Sequence, residues 1–163
     1  MSKIPSTPAT RLLRAGKIEF SEHLYRYEDK GGTKISAREL GVDEHAVIKT
    51  LVMEDDLGQP MIVLMHGDLE VSTKSLSRVI GCKSVNPCKP AVADKHSGYQ
   101  VGGTSPFGTR KTMPVYMEQT ILELPKIYIN GGSRGFLVGI DPREIQELLS
   151  PILVQVYKKT GLE

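Results

Sequence analysis

No stretch of the 163-residue sequence approaches the roughly 20 consecutive apolar residues that a helix needs to cross a bilayer. The first ten residues also lack the apolar centre of a secretory signal. A cytoplasmic protein without a membrane role is therefore expected. Cysteine is scarce, with only Cys82 and Cys88, too few for a disulfide framework, and both thiols are expected to stay reduced in that compartment. An excess of one charge is missing as well: 21 basic and 19 acidic residues leave a net +2. That balance neither demands nor excludes nucleic acid, because a local basic surface can coexist with it. Internal repeats, low-complexity segments and linkers are absent, and the length suits one core rather than two, so residues 1–163 are expected to form a single domain.

The familiar chemical signatures are missing too. Neither glycine-rich segment ends in the Gly-Lys-Ser/Thr of a phosphate-binding loop, and neither is a dinucleotide fingerprint. His66, Cys82, Cys88 and His96 do not have the spacing of metal ligands, so neither metal nor cofactor is expected. Ser105 and Ser133 lie in no strand-turn-helix elbow and have no evident His/Asp pair, which argues against either as an activated nucleophile.

What remains is a pattern of short elements. Thr7-Pro8 starts a helix that carries Leu12 and Leu13 and stops near Gly16. Residues 18–27 alternate as a strand, with His23, Tyr25 and Tyr27 on one side and Ile18, Phe20 and Leu24 on the other. A short helix around residues 37–40 ends at Gly41. Strands over 48–53 and 61–65 flank a turn at 55–58. Ser72 opens a helix closed by Gly81, and residues 90–96 form another, stopped by Gly98. Further strands are expected at 99–101, 113–117, 126–130 and 136–140. Asp141, Pro142 and Glu144 form a capping box for a last helix, and a strand follows at 152–156. Strands outnumber helices without regular alternation, which points to an α+β fold with a mixed sheet or open barrel.

Lys49 shares a strand face with Leu51 and Met53, while Ile48, Thr50 and Val52 take the other. A lysine among apolar neighbours either pays for desolvation with a function or snorkels to water from the strand end. Two glycine-rich segments, Gly102-Gly103-Thr104-Ser105-Pro106-Phe107-Gly108 and Gly131-Gly132-Ser133-Arg134-Gly135, each follow an expected strand. Their backbone N–H groups suit phosphate, ribose or carbonyl oxygen, or they are simply tight turns. Lys74, Arg78, Lys83, Lys89 and Lys95 in one stretch, with Arg110 and Lys111 beyond, make a solvated surface or a polyanion contact.

Taken in order, several blocks resemble the YbaK/EbsC family, which includes Cys-tRNA(Pro) deacylase and relatives of the prolyl-tRNA synthetase editing domain. They are Leu12-Leu13, Ile18-Glu19-Phe20 and Tyr25; Ile48-Lys49-Thr50-Leu51-Val52; Ser97 to Pro106; and Ile127 to Gly135. The resemblance implies a mixed, β-barrel-like sheet with helices packed around it and a pocket for the aminoacylated CCA end of tRNA. It marks Lys49 as the functional lysine, meeting the terminal nucleotide or its phosphate, with Tyr25 nearby. Gly102, Gly103, Thr104, Ser105, Gly131, Gly132 and Ser133 would supply contacts to ester or ribose, and Arg134 a phosphate contact. Asn130 stands where the deacylases carry serine, and Ser133 where they carry lysine. The implied activity is trans-editing deacylation, with Cys-tRNA(Pro) as leading substrate and Ser-, Thr-, Ala- and aminobutyryl-tRNA as rivals. If the substrate thiol does the attacking, the step is formally lyase-like. A prolyl-tRNA synthetase is a partner the resemblance allows, and a non-catalytic tRNA-binding module is the competing reading.

Overall fold

Thr7 opens the first helix: its hydroxyl accepts from Thr10 N, and the Thr10 hydroxyl accepts from the Thr7 N–H, capping helix α1 (Pro8–Ala15) at both donors. The computed structural model describes residues 4–159. After α1 come β1 (Ser21–Leu24), α2 (Gly32–Leu40), a 3-10 turn at Glu44–Ala46, β2 (Val47–Asp55), β3 (Pro60–His66), β4 (Leu69–Val71) and α3 (Thr73–Ile80). They are followed by β5 (Val85–Pro87), α4 (Pro90–Ser97), β6 (Val115–Glu118), a 3-10 turn at Gln119–Glu123 and β7 (Ile127–Ser133). The chain then forms β8 (Phe136–Ile140), α5 (Pro142–Leu149), β9 (Ile152–Val154) and β10 (Tyr157–Lys159).

The main sheet runs β1-β8-β7-β2-β3-β6-β9, with β5 paired to β2 off this path, and β10 pairs separately with β4. Pairings of both senses occur: β2 with β3 is antiparallel, β3 with β6 and β2 with β7 are parallel. The expected α+β fold with a mixed sheet and packed helices is what forms. Every residue of β3 is buried, because helices cover both of its faces. On one side Ile62 and Leu64 meet Leu13 of α1, Ala93 of α4 and Ile145 of α5 in one cluster. On the other, Met61, Val63 and Met65 meet Leu76 of α3. A third, smaller cluster joins Ala37 of α2 to Val47 and Leu137.

Three local expectations give way. The strand expected over 18–27 shortens to β1, since pairing with β8 ends at Leu24–Phe136 and the chain then turns away. Residues 99–101 form no strand but bend into a turn that the Gly103 N–H closes on Gln100 O. Gly98 leaves α4 with φ +80°, Ser97 Oγ accepts from Tyr99 N, and the Tyr99 hydroxyl donates to Phe107 O, so the ring is buried as a post under the loop. At α5, Asp141 caps through Arg143 N and also holds the Arg143 guanidinium at 2.7 Å, in place of the reciprocal bond expected from Glu144.

Candidate functional site

One strand edge explains the site. The parallel ladder of β2 with β7 covers Val47–Tyr128 and Ile48–Ile129, and the ladder with β5 resumes only at Met53–Pro87. Between them, residues 49–52 have no strand partner on that edge among the described residues. The Val47 carbonyl accepts from Gly67 N, on the β3 side, and the Val52 carbonyl accepts from Cys88 N, on the open side. Alternation along a strand therefore directs the backbone groups of Ile48, Thr50 and Val52 toward the gap. A cleft of about 520 Å³ fills it. All seven residues 47–53 line this cleft, which a strand can arrange only when the cavity runs along its edge rather than over one face.

Lys49 is half-buried in the cleft. Burial lowers its pKa from 10.5, and the carboxylates of Glu70, Glu44 and Asp68 offset part of that. None of the three makes an ion pair with it among the described residues. Two are engaged elsewhere: Glu44 accepts from the Thr33 hydroxyl at 2.7 Å, and Asp68 accepts from His45 Nδ1 at 2.9 Å. The ammonium is therefore stabilised at a distance and left free to meet an anion or a carbonyl. Tyr25 shares the cleft, its N–H bonded to Gly135 O and its phenol pKa raised by burial.

The two glycine segments meet each other. A Cβ on Gly103 would lie 2.7 Å from Arg134 N and from the Ser133 carbonyl carbon. Arg134 Nε donates to Val101 O at 2.9 Å, and its guanidinium lies 5.1 Å from the Tyr27 ring centroid. Gly102, at φ +98°, would clash with the Tyr27 hydroxyl if it carried a side chain. Of the expected site residues, Lys49, Tyr25, Gly102, Thr104, Asn130 and Arg134 line the cleft. Gly103, Ser105, Gly131, Gly132 and Ser133 do not line it. Ser105 is fully buried, with Oγ accepting from Phe107 N, and a Cβ on Gly131 or Gly132 would strike Phe136 or Tyr99 respectively.

The cleft also contains residues that the sequence reading did not assign to the site: Thr50, Tyr27, Cys88 and the segment Glu28, Asp29 and Lys30 at its mouth. A threonine in an apolar strand carries no special signal, because strands favour β-branched residues anyway. Cys88 is a free thiol whose pKa is raised by burial and by Glu54, which weakens it as a nucleophile. No group of three or more His, Cys, Asp or Glu side chains suited to a metal ion occurs among the described residues. No helix of the described residues is long and apolar enough to cross a membrane.

Comparison with known proteins bears on this geometry. The chain is 26% identical over 154 residues to a protein of Enterococcus faecalis named "Putative Cys-tRNA(Pro)/Cys-tRNA(Cys) deacylase EbsC", covering 94% of each chain. Among solved structures, a hypothetical protein, APE2540, superposes with a TM-score of 0.85 at 22% identity, covering 93% of this chain and 99% of that one. A structure described as a putative trans-editing enzyme for prolyl tRNA synthetase superposes with a TM-score of 0.80 at 20% identity, covering 94% and 99%. The family of aminoacyl-tRNA editing domains matches residues 31–148, a span that holds β2, its open edge and both glycine segments. The chain belongs to the aminoacyl-tRNA editing domain family.

Proposed function

We propose that this protein is a trans-editing deacylase, which cleaves the ester between a wrongly attached amino acid and the end of its tRNA. The observation that carries the reading is Lys49: an ammonium with no ion pair among the described residues, half-buried beside a strand edge that none of them pairs, in a cleft large enough for a nucleoside with its ester. Lys49 holds the terminal nucleotide or its phosphate. The narrow turn at Gly102, braced by Arg134 and Tyr27, brings backbone close to the ester and ribose. Most of the rate then comes from positioning.

Cysteinyl-tRNA(Pro) is the first substrate to test, in keeping with the likeness to the Enterococcus protein. Its side-chain thiolate attacks the ester carbonyl carbon, the bond to the tRNA oxygen breaks, that oxygen takes up a proton, and the amino acid leaves as a thiolactone. Alanyl-tRNA has no such group and would need an oriented water. A prolyl-tRNA synthetase is the proposed source of the mischarged tRNA.

The test is a time course of amino-acid release from Cys-, Ser-, Thr-, Ala- and aminobutyryl-tRNA(Pro) with purified protein. Release from at least one above the spontaneous rate is expected, and cysteinyl-tRNA should be cleared far faster than alanyl-tRNA. Stable esters across the panel, with tRNA still bound, would replace the deacylase with a binding module.

A further inference from the structure

Helix α4 walls the cleft with Pro90 and Ala93, and the turn after it adds Val101 and Gly102. Val101 joins two elements there: its N–H donates to Asp94 Oδ1 of α4 at 3.0 Å, and its carbonyl accepts from Arg134 Nε at 2.9 Å. A second pair of cations is fixed to the same helix end. Arg110 N donates to Ser97 O at 3.0 Å, and Lys111 N donates to His96 O at 2.9 Å. A Cβ on Gly98 would lie 3.2 Å from Arg110 Cβ and 3.7 Å from its Nε, so the Arg110 side chain runs across the glycine. Val101 follows Gly98 by three positions, which a chain spans in at most about 11 Å. Arg134 at the cleft wall and Arg110 with Lys111 beyond it therefore form one basic ridge leading out of the cleft.

All three side chains are exposed, and none has an ion pair among the described residues. Asp94, the acid within the ridge, is turned to the Val101 N–H. The mouth segment of residues 28–30 offers no such excess of positive charge: Glu28 is paired with Arg38 at 3.5 Å, and Asp29 is followed by Lys30. Other cations of the basic stretch lie elsewhere. Lys74 and Arg78 belong to α3, which packs through Leu76 on the far side of the sheet from Ala93. Lys83 sits against Asp56, whose carboxylate accepts from its N–H at 2.9 Å. A polyanion with its end in the cleft would thus meet a row of free cations along one route.

We infer that the ridge of Arg134, Arg110 and Lys111 carries the phosphodiester strand leading to the ester, so that the RNA enters across the C-terminal end of α4 and not across α3. The identity of that strand rests on the deacylase reading. Cations at the end of a helix also complement its dipole, a role that affects stability and leaves the salt dependence of RNA binding untouched.

The test is the affinity for uncharged tRNA(Pro), followed by fluorescence anisotropy from about 50 to about 200 mM salt. Wild type is compared with the double variants Arg110→Gln/Lys111→Gln and Lys74→Gln/Arg78→Gln; Arg134 is left in place because it also packs against Gly102. Each single-strand phosphate contact adds about 0.7 to the salt slope, so with two contacts removed the ridge variant should lose about sevenfold less affinity than wild type across that range. The α3 variant should follow wild type, and Arg110→Lys should keep the wild-type slope. A wild-type slope in the ridge variant would overturn the inference, and a lowered melting temperature beside it would assign the pair to the helix end alone. A larger change in the α3 variant, or no binding of tRNA by wild type, would overturn it as well. Ridge-dependent binding without hydrolysis of any aminoacyl-tRNA would sink the deacylase and keep the ridge. Hydrolysis by the ridge variant at the wild-type kcat/KM in low salt would do the reverse.

Discussion

Replacing Lys49 with methionine should make the protein less active and more stable at once. The methionine stem keeps most of the contact that the lysine methylenes make in the cleft, and it removes an ammonium whose burial outweighs the pull of Glu70, Glu44 and Asp68. Partial exposure screens that penalty, so the gain is on the order of 0.5–1 kcal/mol. For a domain of this size this is roughly 1–4 °C in Tm. The sign can be checked with pH. Because the folded pKa lies below 10.5, the cost of the charge is fully present at neutral pH and is relieved as pH rises through the folded pKa. The stability gap between Lys49→Met and wild type should therefore narrow in alkaline buffer. Turnover should fall about a hundredfold if Lys49 orients the substrate. Paired thermal melts at neutral and alkaline pH, with deacylation of the best substrate from the panel, test both halves. A variant that is less stable at neutral pH refutes the electrostatic reasoning, and wild-type turnover refutes the role.

Gly103→Ala should cost about 1–3 kcal/mol, since its new methyl would meet the backbone of Ser133 and Arg134 at 2.7 Å; an unchanged urea midpoint would show that the two loops are free to separate. His66 is fully buried, and its Nδ1–H donates to the His45 carbonyl, so Nε2 must accept from Thr120. Burial lowers its pKa below 6.5. The stability that the neutral ring provides is thus complete above that value and is lost as pH falls through it toward the folded pKa. Urea midpoints at neutral and mildly acid pH should drop more for wild type than for His66→Gln, and equal drops would assign the acid sensitivity elsewhere. Affinity for tRNA should fall with added salt as phosphates release counterions, and salt-independent binding would count against a phosphate-dominated contact.

Helix α1 was legible because its signals are local: Thr7, Pro8 and an apolar pair suffice to start it. The buried run of β3 and the turn at Gly58, with φ +76°, were legible for the same reason. Strands β4, β5 and β10 have three residues each, too short for any periodicity to register, and they exist only through their partners. Lys49 stood out because a charge on an apolar face is rare. Thr50 did not, since what distinguishes it is the absence of a neighbouring strand, and no local pattern records where a ladder stops. The glycine segments were visible as segments, but their close approach to one another joins residues some thirty positions apart.

That open edge has a consequence for how the protein comes to work. Its two boundaries are the pairing of Ile48 with Ile129 and of Met53 with Pro87, contacts that close loops of very different length. Long closures of this kind are slow, because chain entropy is lost before the contact repays it. The hairpin of β2 and β3 can form early from neighbouring residues, but it presents an unbroken free edge and no cleft. The cleft therefore exists only once β7 has docked and left part of that edge uncovered, and a fragment ending before β7 would keep Lys49 without the cleft around it.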